Sequence, residues 1–133
     1  MLKAILTIAL MVNMGYQVPS PPAQSTMDPA QMIVNECELQ DVDSDLALAI
    51  ARLETGHFTS DAFAYNNNFG GLSAAEVPVA FSSREEGAKA FVSNLKDGYI
   101  MQGLDTPEKI SSKYCPVNAE RWAQTVSLLM EEQ

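Results

Sequence analysis

The sequence predicts a mainly α-helical domain of about five helices with one small, irregular β insert. Three observations carry this. Helix-start signals recur along the chain, apolar residues follow each at helical spacing, and between Phe69 and Phe81 that periodicity breaks around Pro78. A chain of 133 residues makes one domain, long enough to bury a core without metals or many crosslinks. With 47% hydrophobic and 19% charged residues, the composition excludes a disordered polymer.

The first helix opens at Asp28-Pro29-Ala30-Gln31, with a capping Asp, a proline suited to the first helical position and a Gln able to reach back. Met32, Ile33 and Cys37 then mark its buried stripe. A second helix starts at Asp43 or Ser44. Its Leu46, Leu48, Ala49, Ile50 and Leu53 are apolar on most sides, as in a central, enclosed helix, and Gly56 suits a left-handed stop. Ser82 or Ser83, with Glu85 or Glu86, forms a capping box for a third, whose inner face is Ala88, Phe91, Val92, Leu95 and Tyr99. Thr106-Pro107-Glu108 opens a short fourth helix carrying Ile110. Asn118 opens the last, with Trp122, Val126, Leu129 and Met130 inward. Val77-Pro78-Val79 permits only a minor extended element.

Residues 1–16 read as a secretory signal peptide or an uncleaved N-terminal anchor. Lys3 precedes an apolar run, Ala4 to Val12, that is too short to span a bilayer as a helix. The protein is therefore expected to be exported, extracellular or wall-associated. Residues 17–26 form a Pro-rich linker, because prolines 19, 21 and 22 remove backbone donors and fix φ, and the body runs over 27–133. In an exported chain the pair Cys37 and Cys115 is a disulfide candidate, with two buried thiols as the alternative. Such a bridge would stabilise by roughly 4 kcal/mol on the chain-entropy model. The net charge of −9 and eight scattered basic residues exclude a nucleic-acid partner. One His and two Cys make no zinc set, so no metal is expected.

Chemistry concentrates in Leu53-Glu54-Thr55-Gly56-His57-Phe58 and in Tyr65-Asn66-Asn67-Asn68-Phe69-Gly70-Gly71. Glu54 closes a mostly apolar helix. The negative end of the helix dipole and an apolar setting both disfavour its ionised form, which raises its pKa. A carboxyl that stays protonated near neutral pH suits general-acid catalysis at a departing sugar oxygen. An exposed Glu on the last helical turn is the plainer alternative, as an ordinary turn is for the Asn/Gly cluster.

Four ordered blocks, ALAIARLETGHF, NNNFGGL, AFSSREEGAKAFVSNLK and TPEKISSKYCPVNAERWAQTVSLLM, resemble the glucosaminidase domain of bacterial peptidoglycan hydrolases. These are the lysozyme-like endo-β-N-acetylglucosaminidases of glycoside hydrolase family 73, and the likeness runs from about Asp45 to Met130. The resemblance implies a lysozyme-like helical bundle and a hydrolase that cuts the β-1,4 bond after N-acetylglucosamine in cell-wall glycan. It implies Glu54 as the catalytic acid, and Asn67, Asn68, Phe69, Gly70 and Tyr114 as residues of the sugar groove. Peptidoglycan glycan strands are the expected partner, with no cofactor, and the chain is expected to be a monomer.

The chain departs from the family in two places. His57-Phe58 stands where the family commonly carries Gly or Trp-Gly, and the insert between Gly71 and Phe81 is shorter than in many relatives. Glycosidases commonly pair two carboxyls, about 5–5.5 Å apart when retaining and about 6.5–9.5 Å when inverting. Glu76 in the insert and Asp61 before it are the only candidates for the second group, Glu76 the preferred one, and assistance by the substrate's N-acetyl group is the alternative. Three other functions remain open at this stage. A lytic transglycosylase shares the helix-end Glu but continues into a Gly-Leu-Met-Gln-like segment, where this chain has Gly70-Gly71-Leu72-Ser73. A non-catalytic glycan-binding or assembly module would explain the short insert. A thiol enzyme using Cys37 or Cys115 with His57 is disfavoured, since Cys37 sits between Glu36 and Glu38.

Overall fold

The computed structural model describes residues 25–133. The signal segment expected at 1–16, and all but two residues of the linker expected at 17–26, lie outside the described residues. Six helices follow in order: α1 (Pro29–Gln40), α2 (Ser44–Thr55), α3 (Asp61–Asn66), α4 (Arg84–Gly98), α5 (Pro107–Tyr114) and α6 (Ala119–Glu131). Between α3 and α4 lies a two-stranded antiparallel hairpin, β1 (Ser73–Ala74) and β2 (Val77–Pro78), with Ser73 opposite Pro78 and Ala74 opposite Val77. Single 3-10 turns at Ile100–Gln102 and Pro116–Asn118 bend the chain into α5 and α6. The fold is thus mainly helical with a small β insert, as the sequence predicts.

Local chemistry accounts for the helix ends. The Asp43 carboxylate accepts from the Asp45 and Leu46 amides, Ser83 Oγ from the Glu86 amide, and Thr106 Oγ1 from the Lys109 amide. Gly56 closes α2 at φ 56°, the left-handed stop its sequence position suggests. Two predicted caps are not formed. Asp28 makes no side-chain capping bond, with Gln31 donating forward to Asn35 rather than reaching back, and Asn118, which ends a 3-10 turn, makes none either. The helix missing from the sequence prediction is α3, capped by Ser60 Oγ on the Phe63 amide. Six residues are too few to display a full period of apolar positions.

Every residue of α2 from Leu46 to Ala51 is buried, so this helix is the axis of the domain. It packs on α1 and α6, α1 also packs on α4, and α5 packs on α6. Ile33, Ile50, Phe91, Leu95, Ile110 and Val126 meet in the core around it. Cys37 belongs to the same core, where burial and the nearby Asp43 and Glu36 carboxylates push its thiol up to about 12. Cys37 and Cys115 are both free, correcting the disulfide expected from their even count. Cys37 is buried on α1, and Cys115, half-buried, follows the last residue of α5. A thiol held so firmly protonated is also no nucleophile.

The turn after α2 is unusual. Gly56, His57 and Phe58 are all left-handed, at φ 56°, 57° and 66°. For the two non-glycine residues this costs roughly 1–2 kcal/mol each. The compensation is visible. Thr55 Oγ1, itself donating to the Ala51 carbonyl, accepts from the Phe58 amide, and the Phe58 ring packs on Phe63 and Phe69 at centroid distances of 5.5 and 6.0 Å. Phe58 thus belongs to an aromatic cluster that seats the following loop on the core, while His57 stays exposed.

Candidate active site

Glu54 is the penultimate residue of α2, half-buried where this helix meets α6 and the loop that precedes the hairpin. Its Oε1 accepts a 2.9 Å hydrogen bond from Trp122 Nε1. Its Oε2 faces Gly71, lying 3.5 Å from where a Cβ on that glycine would sit. The two oxygens are thus unlike: one is held by an indole N–H, the other turned toward an exposed glycine. Burial raises the Glu54 pKa above the ordinary carboxylate range, and the indole bond partly offsets that rise by favouring the charged form.

Behind Trp122 stands a ladder of rings. Tyr114 stacks on Trp122 at 5.2 Å and Tyr99 lies against Tyr114 at 5.4 Å. Burial, then the nearby Glu54 charge, push both tyrosine hydroxyls up, Tyr114 furthest. Tyr114 donates its hydroxyl proton to the Gly70 carbonyl, tying α5 to the glycine loop. It lies close enough to Glu54 to feel its charge, and its hydroxyl is already engaged by the protein.

The Asn-Asn-Phe-Gly loop differs more from the sequence prediction. Asn68 is buried to 1% exposure and its amide is used on both sides. Its nitrogen donates to the Leu72 and Val79 carbonyls, and its oxygen accepts from the Gly70 and Leu72 amides. Phe69 is wholly enclosed, edge-on to Phe63 at 5.0 Å, and has no face to offer a sugar. Asn67 adopts φ 54° at the end of α3 and donates to the Phe81 carbonyl. Gly70 is buried, and a Cβ there would strike the Phe91 ring. Asn68, Phe69 and Gly70 are thus enclosed and Asn67 half-buried, and together they form a bracket that holds Gly71 beside Glu54. The physical reason is partly local and partly not: Asn68 bonds the backbone of its own turn at Gly70 and Leu72, while Val79 and Phe81, brought alongside by the hairpin, take up the remaining amide protons.

Glu76 lies exposed at the hairpin tip, at φ 66° after Ala75 at 49°, and Asp61 is exposed at the start of α3. Neither lines the hollow at Glu54. His57 is exposed on the left-handed turn. Among the described residues no cluster of three or more His, Cys, Asp or Glu is arranged to hold a metal, and no helix is long and apolar enough to cross a membrane.

Sequence reasoning missed Gly71 and the second role of Trp122. Trp122 was legible as an inward residue, and it is 6% exposed. The signal that would have flagged it is chemical: a buried indole needs an acceptor for its N–H, and Glu54 supplies one. An open depression of about 270 Å³ lies alongside, lined by Leu53, Glu54, Cys115, Asn118, Arg121, Trp122 and Thr125. Larger surface depressions of about 410 and 590 Å³ on the α5–α6 side do not include Glu54.

The Trp122 bond predicts a pH signature. Trp122→Phe keeps a ring on Tyr114 but removes the donor that favours ionised Glu54, so the pKa of Glu54 rises further. If Glu54 works as a protonated acid, activity falls as pH climbs through its pKa, and in the variant this alkaline limb moves to higher pH. The rate on the plateau drops by about tenfold or more because the carboxyl is no longer held in place. A limb that stays put in the pH–rate profile would remove Trp122 from this role.

No family model matches the chain, and no curated protein matches it.

Proposed function

We propose that this protein is a peptidoglycan hydrolase that cleaves the β-1,4 bond after N-acetylglucosamine in wall glycan strands, with Glu54 as the proton donor. The observation that carries this is the asymmetric carboxyl: half-buried, raised in pKa, anchored through Oε1 by Trp122 and open through Oε2 toward Gly71. When the group is neutral, Oε1 remains the acceptor of the indole proton, so the acidic proton resides on Oε2, the oxygen nearest the exposed glycine. A glycosidic oxygen brought over Gly71 would receive it as the bond breaks. Gly71 leaves room for that approach, having no side chain to stand between Oε2 and a sugar.

No other carboxyl lines the hollow at Glu54, and we assign stabilisation of the anomeric centre to the substrate's own N-acetyl oxygen. The same absence favours a second chemistry with equal need of only one carboxyl, a lytic transglycosylase in which a hydroxyl of the sugar replaces water. Action on the wall also requires export, a task assigned here to residues 1–16. Mass spectrometry of the fragments released from purified peptidoglycan is the test. Reducing N-acetylglucosamine ends are the expected product, anhydro-sugar ends would transfer the assignment to the transglycosylase, and intact glycan would refute both.

A further inference from the structure

The depression beside Glu54 is lined by a single cation, Arg121. That is notable in a chain of net charge −9 with only eight Lys and Arg. Most other cations among the described residues are engaged. Arg52 donates to Gln133, Arg84 lies over the Phe63 ring, Lys96 donates to the Gln40 carbonyl, Lys109 pairs with Asp105, and Lys113 sits over Tyr99. Among the described residues Arg121 has neither an ion pair nor a side-chain hydrogen bond, and it is exposed.

The depression also continues past it. Asn118 and Arg121 line both the 270 Å³ hollow at Glu54 and the 590 Å³ one that runs on over Val117, Glu120 and Gln124. Asn118 caps no backbone donor and its amide is unspent. A ligand that places a sugar at Glu54 therefore has a second path open to it, away from the sugar, flanked by the Arg121 guanidinium, the Asn118 and Gln124 amides and the Glu120 carboxylate.

We infer that this path seats the peptide substituent carried by alternate sugars of the wall polymer, with Arg121 gripping a carboxylate of that peptide and Asn118 and Gln124 its amides. The inference rests on the glycan-cleaving assignment of Glu54 and adds to it what distinguishes one sugar from the next. A planar guanidinium fits a carboxylate through two parallel bonds, and peptide amides match carboxamide side chains. In an otherwise acidic protein, one local cation lets an anionic substituent approach where the surface at large would repel it.

The test is direct binding, by calorimetry, of two probes prepared from digested wall: a disaccharide bearing its peptide and the same disaccharide with the peptide removed. The native protein is expected to hold the peptide-bearing form about tenfold more tightly, the worth of one charge-assisted contact. Arg121→Gln is expected to erase that preference while leaving the peptide-free form within about twofold. No preference in the native protein, or a preference that survives Arg121→Gln, overturns the inference. Neither probe needs to be cut, so failure of the glycosidase assignment shows itself separately, as wall strands the native protein leaves whole.

Discussion

Glu54→Gln is expected to lower cleavage of wall glycan by roughly 10²–10⁴-fold, the usual worth of a general acid, without harming the fold. The amide keeps the shape, and its oxygen still accepts from Trp122 Nε1 as Oε1 does now. What vanishes is the proton on the other side. Stability should move the opposite way. Burial raises the Glu54 pKa, so the folded state keeps this proton to a higher pH than the unfolded chain does. The native protein therefore loses stability as pH rises from the ordinary carboxyl range through the folded value, and the loss levels off above it. Gln has no proton to lose, so the variant lacks that slope and melts at or above the native temperature at neutral pH. Turnover of purified peptidoglycan together with melting curves from pH 4 to 8 checks both halves. Undiminished turnover in Glu54→Gln would end the catalytic assignment.

The second large effect is on stability. Gly87 lies in the first turns of α4, and by helix propensity Gly87→Ala would stabilise by about 1 kcal/mol. The structure reverses the sign. A Cβ on Gly87 would run into the Asn67 carbonyl oxygen, far inside van der Waals separation, and the obstacle is backbone rather than a side chain that can swing away. Relief requires α4 to part from the loop, at a cost of about 3 kcal/mol or more. The same displacement would drag Gly71 from Glu54, so activity should fall with stability. Gly98→Ala is the control in the same helix, since its Cβ would meet only Asn94 Oδ1 at an ordinary 3.5 Å. Urea unfolding of the two variants is expected to give a midpoint well below native for Gly87→Ala and one near native for Gly98→Ala.

These two glycines show where sequence reasoning reaches and where it stops. The helices were legible because their signals are local. Asp43, Ser83 and Thr106 act within a turn of themselves, and the apolar stripes of α1, α2 and α4 report burial by periodicity alone. Gly87 reads identically to Gly98 in a helical pattern, because what separates them is a carbonyl twenty residues away. Glu54 was legible as a misplaced carboxyl on an apolar helix. Its partner was not, since periodicity predicts that Trp122 points inward but carries no information about its N–H. Composition marks Asn67 and Asn68 as polar groups near the site, whereas only the fold reveals that Leu72, Val79 and Phe81 consume them.

The indole that grips Glu54 is the only tryptophan in the chain. Its near-ultraviolet emission comes from one ring, stacked on Tyr114 and touching the carboxyl whose charge matters most. The protein therefore carries a built-in optical gauge. Quenching or a wavelength shift, followed without any label, would report both the loss of the Glu54 proton and the arrival of a ligand in the hollow beside it.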